Sequence, residues 1–234
     1  MGVEQPTALV VPQPREDCAF CVRQDLHNIL AESQSFFLLA DHAPLIEGHL
    51  LLIPKAHYSC YGAVPPELVQ EFLQMKARAA AFLRRAYRPP VFFEHGIFRQ
   101  TVFHAHLHCF PFGPLQLDLS AYHPHPAPRL EDVREWYMQK GQYFYFEQRM
   151  GEGQLFAPEE MRYFSVLGAL RKEAAPAHGA WSPPAERREN GRPKIQSLVQ
   201  KWQAFAQENN NNESRPARHG GAQHEGVSID GDGD

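Results

Sequence analysis

Apolar positions change their period several times along this chain, and each change predicts an element. Ser35-Phe36-Phe37-Leu38-Leu39-Ala40 has the composition of a strand, and Asp41-His42-Ala43-Pro44 after it reads as a turn. Residues 49–53, His-Leu-Leu-Leu-Ile, predict a second, buried strand ended by Pro54. From 66 to 87 the period becomes helical. Leu68, Phe72, Met75, Ala79 and Phe82 share one side, Pro65 and Pro66 stand at the start, and Arg88-Pro89-Pro90 stops it. Val91-Phe92-Phe93 and Val102 to Phe110 predict two more strands. Strand, strand, helix, strand, strand is an α+β order, with a helix packed on a largely antiparallel sheet.

The second half has weaker patterning. Residues 113–129 are proline-rich and predict a long surface loop. Tyr143-Phe144-Tyr145-Phe146 predicts a strand and Pro158 to Lys172 a helix. Ile195 to Phe205 predicts a short terminal helix with Leu198, Val199 and Trp202 on its apolar side. The expected organisation is a flexible N-terminus at 1–15, a main domain at 16–112, an extension packed on it at 113–207 and a disordered tail at 208–234. The tail is Asn-rich, then rich in Gly, His and Asp, with too few apolar residues to support a core. There is no internal repeat.

Composition narrows the partners. With 234 residues and 43% hydrophobic content, the chain supports one well-cored domain and an appended subdomain. A net charge of −4 argues against a nucleic-acid polymer or an anionic membrane, so an anionic ligand would need local donors. No apolar run approaches the roughly 20 residues of a membrane span, and no secretory leader is visible. A cytoplasmic, reducing compartment is therefore expected, where cysteines more often bind metal or do chemistry than form disulfides. Of the four cysteines, Cys18 and Cys21 form a Cys-x2-Cys pair. Half of a zinc site, a redox pair and two packed thiols all remain open for it.

The strongest chemical signal is His104-Ala105-His106-Leu107-His108. In a strand, alternate residues share a face, so three imidazoles point one way and Ala105, Leu107 and Cys109 point into the core. Three polar rings on one face of an apolar strand are costly without a purpose. Imidazole can donate, accept, attack or ligate near neutral pH. Rigid spacing along one strand does not wrap all three around a single ion, so at least one ring has another task.

The run from His104 to Phe110 resembles the signature of the histidine-triad (HIT) superfamily, His-apolar-His-apolar-His-apolar-apolar. Upstream, Asp41 to His57 is similar to the family's approach, which ends in Gly-His-hydrophobic-Ile-Pro-Lys-x-His. The likeness covers about residues 18–112, and a weaker one extends to a bacterial subgroup with a C-terminal extension carrying an aromatic strand and helix. The resemblance implies a HIT-like fold and a nucleotide hydrolase or nucleotidyltransferase. His106 would be the nucleophile, forming a nucleotidyl-histidine intermediate from a dinucleoside polyphosphate or phosphoramidate. His108 would donate to a phosphoryl or leaving-group oxygen, with Gln100 and Thr101 as further phosphate contacts. Thr101 reads equally as a β-branched strand residue. Asp41 would accept from the ribose hydroxyls, with a turn aspartate as the other reading.

Zinc-bearing members imply a structural zinc on Cys18, Cys21, His57 and His104, which frees His106 for chemistry. Many members are homodimers built through the helix and neighbouring strands, an interface that the strand at 143–146 would suit, although packing within the chain explains that strand as well. The chain departs from the family at Glu94-His95-Gly96, where a phosphate-contacting asparagine is common. Glu94 or His95 substitutes for it, or the pair is an exposed loop. Two other functions stay in view: a nucleotide-binding scaffold without catalysis, and a metal-dependent phosphodiesterase using the histidine row.

Overall fold

A computed structural model of the chain describes residues 12–178 and 184–213. The expected flexible N-terminus and disordered tail fall mostly outside them. Ile29–Glu32 (β1), Phe36–Ala40 (β2) and Leu50–Pro54 (β3) precede the long helix Val69–Ala86 (α1). Val91–Glu94 (β4) and Leu107–Phe110 (β5) complete the predicted α+β order. His125–Pro126 (β6), Leu130–Lys140 (α2), Phe144–Glu147 (β7), Gly153–Phe156 (β8), Glu160–His178 (α3), Pro184–Asn190 (α4) and Arg192–Glu213 (α5) follow. These strands lie in one 8-stranded sheet, in the order β1-β2-β3-β5-β4-β7-β8-β6, with antiparallel neighbours throughout.

Alternation divides the sheet cleanly. Phe36, Leu38, Leu50, Leu52, Phe92, Leu107, Cys109, Tyr145 and Leu155 pack with Phe72, Met75, Ala79 and Phe82 of α1 on one side. Trp202 of α5 closes that core with its ring 5.0 Å from Phe82. On the other side, Phe37, Leu39, Leu51 and Ile53 form a cluster under Phe20 and Leu26. A second cluster there gathers Val91, Phe93, Phe144, Phe146 and Phe156 beneath Tyr163 and Val166 of α3. The histidines stand between these two clusters.

Three expectations are corrected. The strand expected from Val102 to Phe110 is regular only over Leu107–Phe110. Pairing with β4 ends at Phe93–His108, because the chain turns away after Glu94 through positive φ at Gly96 and Ile97. The amide of Ala105 bonds to the Tyr58 carbonyl at 2.6 Å rather than to a neighbouring strand. Residues 113–129 are not simply a surface loop: Leu115, Leu119 and Ala127 are buried, and β6 edges the sheet. Gln148 clamps that segment, its Oε1 accepting Leu117 N–H at 2.8 Å and its Nε2 donating to the Leu117 carbonyl at 3.0 Å. Helix α5 runs on through Asn209 to Glu213, past the expected start of the tail.

The extension does more than pack on the main domain, because β7, β8 and β6 continue its sheet beyond β4. The aromatic strand at 143–146 is thereby paired on both edges within the chain, to β4 and to β8. Among the described residues, no helix is long and apolar enough to cross a membrane.

Candidate metal centre and histidine site

The turn at residues 15–21 brings the two N-terminal thiols together, with Cys21 N–H on the Cys18 carbonyl at 3.0 Å. Both face the sheet where β3 ends. Cys18 Sγ and Cys21 Sγ each lie 3.5 Å from His104 Nδ1, and Cys21 Sγ lies 3.2 Å from His57 Nδ1. These four residues form a group able to hold a metal ion, their donor atoms all within 4.8 Å of one another. His104 Nε2 donates to the Pro54 carbonyl at 2.8 Å, so its proton sits there and Nδ1 turns a lone pair toward the thiols. All four cysteines are free.

The same histidine organises the next one. His106 Nδ1–H donates to the His104 carbonyl at 2.7 Å, which leaves the His106 lone pair on Nε2. Burial lowers the pKa of His106, against the pull of that hydrogen bond and of Asp41, so the ring is neutral at neutral pH. Phe20 stands edge-on to His106, ring centres 5.5 Å apart.

His108 is held from behind by a residue without an assigned role in the sequence reading. His49 Nε2 lies 2.9 Å from His108 Nδ1. Leu45 N–H donates to His49 Nδ1 at 3.4 Å, which puts the His49 proton on Nε2 and the His108 proton on its own Nε2. Burial pushes His49 down to about 4 and His108 well below its usual value, with the nearby charge of Arg187 acting in the same direction. Arg187, on α4, donates to the Ala43 carbonyl at 2.9 Å. It supplies positive charge beside the histidines.

The other predicted residues separate. Asp41 is buried, with Oδ1 accepting Ala43 N–H at 2.6 Å and Oδ2 3.5 Å from His49 Nδ1, the geometry of a turn aspartate. Gln100 Nε2 donates to the His104 carbonyl at 2.7 Å, while its Oε1 is buried without a partner among the described residues. Thr101 is exposed and lines a cleft with Cys18, His57 and Phe103, on the side of the thiols. His95 is brought in as well, its ring centre 6.0 Å from that of His106 and 5.7 Å from that of His108. Parity was the available signal for His49 and His95: His49 alternates with Leu51 and Ile53, and His95 with Phe93.

Residues 10–122 match the family described as "Protein similar to CwfJ C-terminal". No curated protein matches the chain. Among solved structures, the chain is similar to a zinc-bound histidine triad family protein from Mycobacterium smegmatis, with 29% identity, 53% of this chain and 94% of that chain covered, and a TM-score of 0.37. It is similar to a HIT family hydrolase from Clostridium thermocellum at 24% identity, covering 44% of this chain and 97% of that one with a TM-score of 0.37. A HIT family protein from Bacillus anthracis matches at 22% identity over 53% of this chain and 94% of that one, with a TM-score of 0.40.

Proposed function

We propose that this chain, which is similar to the histidine-triad proteins, is a nucleotide hydrolase or nucleotidyltransferase acting at an α-phosphate through His106. The supporting observation is the hydrogen bond from His106 Nδ1–H to the His104 carbonyl at 2.7 Å, which presents Nε2 as a neutral nucleophile. Nε2 attacks phosphorus, an N–P bond forms, and the bond to the leaving group breaks with its electron pair. Water or another acceptor then attacks the same phosphorus and returns the electron pair to Nε2, losing a proton. The product of hydrolysis is a nucleoside monophosphate. His108 Nε2–H is the donor to a phosphoryl oxygen, set by His49 behind it.

Zinc is the metal that suits Cys18, Cys21, His57 and His104. Zinc–sulfur bonds of about 2.3 Å and zinc–nitrogen bonds of about 2.0 Å set tetrahedral corners about 3.5 Å apart. The thiol–imidazole separations of 3.2–3.5 Å match that edge. Four protein ligands close the site, so its role is to tie the N-terminal turn to the sheet and hold the His104 backbone.

Incubating the protein with a panel of dinucleoside polyphosphates and nucleoside phosphoramidates tests the reading. Monophosphate release, with an acid-labile phosphoramidate trapped on His106, is the expected result. Turnover without that adduct under rapid quench would remove the nucleophile from the proposal. Asp41, His49 and His108 also form a group able to hold a metal, which favours a metal-dependent phosphodiesterase as the second reading. Rapid, reversible loss of activity with a chelator, the fold intact, would select it.

A further inference from the structure

The three residues of Glu94-His95-Gly96 go to different places. Glu94 turns to the α1 side of the sheet, where its carboxylate accepts Tyr61 N–H and the Tyr143 hydroxyl, each at 2.7 Å. Gly96 has φ +56°, and a Cβ there would collide with the Tyr143 ring. Tyr143 therefore explains both neighbours of His95. His95 itself follows Phe93 onto the opposite, histidine-bearing face, ring centres 5.2 Å apart.

Its loop is strained and held by the extension. Ile97, a β-branched residue, has φ +79° and Arg99 has φ +56°, conformations that persist only under outside constraint. Tyr143 N–H donates to the Gly96 carbonyl at 3.1 Å, and Arg99 pairs with Glu160 of α3 at 2.7 Å. The Tyr163 hydroxyl, also on α3, lies 3.1 Å from His95 Nδ1. A phenol is the better donor and an imidazole nitrogen the better acceptor, so Tyr163 donates and His95 carries its proton on Nε2. Burial pushes His95 down to about 4, with His106 adding to the effect and a hydrogen bond to the Phe98 backbone opposing it, so the ring is neutral and a leaving-group oxygen takes its N–H in competition with Phe98.

The ring centres of His95, His106 and His108 form a triangle with sides of 6.0, 5.7 and 4.9 Å. His104, turned to the thiols, stands outside it. We propose that this triangle is the reacting group, with His95 donating to the leaving-group oxygen of a phosphoanhydride and Tyr163 positioning it. This rests on His106 being the nucleophile. As the N–P bond forms, the P–O bond breaks and its electron pair stays on the leaving oxygen, which accepts from His95 Nε2–H. A phosphate-type leaving group departs as an anion, so no proton has to be transferred.

Two probes test this: diadenosine or diguanosine triphosphate, whichever is turned over, and the p-nitrophenyl ester of the same nucleoside monophosphate. The nitrophenolate leaves with little help. His95→Phe is expected to slow the triphosphate about 10²–10³-fold and the ester less than about tenfold. His95→Gln, which keeps an N–H, should recover part of the difference, and Tyr163→Phe should shift the same ratio several-fold. The ratio of two rates from one preparation is independent of how much protein is folded. Equal losses on both probes, no loss, or no advantage of Gln over Phe would overturn the assignment alone, provided His106→Asn abolishes turnover. Wild-type protein that acts on neither probe and forms no adduct would overturn this assignment and the proposed function together.

Discussion

The two faces of one sheet carry buried polar groups of opposite character. On the α1 side, Glu147 is fully buried and accepts from Lys76, from the Tyr145 hydroxyl at 2.6 Å and from Gly151 N–H at 2.7 Å. Glu94 is equally enclosed by Tyr61 and Tyr143. The chain's own donors complete each carboxylate. On the other side, His106 and His108 each bind the chain through Nδ1 and keep Nε2 for something else. Burial alone does not separate structure from chemistry here. What separates them is whether the last bonding position of a buried group is filled from within.

The largest test of that difference removes the nucleophile. His106→Asn should lower monophosphate release by on the order of 10⁴-fold or more while leaving metal content and melting temperature unchanged. Activity within tenfold of wild type would place the chemistry elsewhere. On the opposite face the same kind of change should strike stability instead. Lys76→Met leaves Glu147 buried and without its cation, and denaturant unfolding should show a loss of about 3–5 kcal/mol. Little change in the midpoint would mean that Tyr145 and Gly151 suffice.

A smaller effect is expected at Glu94, which burial pushes up to about 7 despite its two hydrogen bonds. Its folded value lies above the unfolded one near 4.5. Its contribution to stability is therefore complete below about pH 4.5 and is lost as pH rises through about 7. The buried histidines titrate alike in both proteins, so the stability of the wild type relative to Glu94→Gln should fall as pH rises across that window. Parallel curves would disprove it. The mildest expected change is at the edge of the histidine face: Cys21→Ser should reduce bound zinc, measured by metal analysis, and loosen the N-terminal turn while some turnover survives. Full zinc occupancy in that variant would take Cys21 out of the ligand set.

Legibility follows the strength of local pattern. Strands β2 and β3, helix α1 and the turn at Asp41 can be read because apolar period and turn chemistry agree there. The grouping of Cys18, Cys21, His57 and His104 is legible through motif resemblance. Helix α2 goes unread in the sequence although Leu130, Val133 and Tyr137 recur at helical spacing and pack on the core, because the stripe is short and only Val133 in it is fully buried. The strand expected from Val102 fails over its first five residues, Val102 to His106, where local composition is right and the partner strand is missing. Tyr143–Phe146 is readable as a strand, but not its pairing with β4, since a free sheet edge leaves no mark in the sequence. His95 and His49 lack a definite role in the sequence, although alternation already places each on one face.

The junction of β4 with β7 also governs how the molecule tolerates being shortened. All four residues of β4 are buried, and three of them, Val91, Phe92 and Phe93, are apolar. A chain cut after Phe112 would bare the edge of β4 that pairs with β7, Phe92 to Glu94, as a ladder of unpaired backbone donors and acceptors with one acidic residue and no proline to blunt it. Such an edge recruits other edges. The truncated protein should precipitate or form oligomers through β4 at concentrations where the full chain stays dispersed, so the extension serves as a solubility cap for the half that bears the histidines.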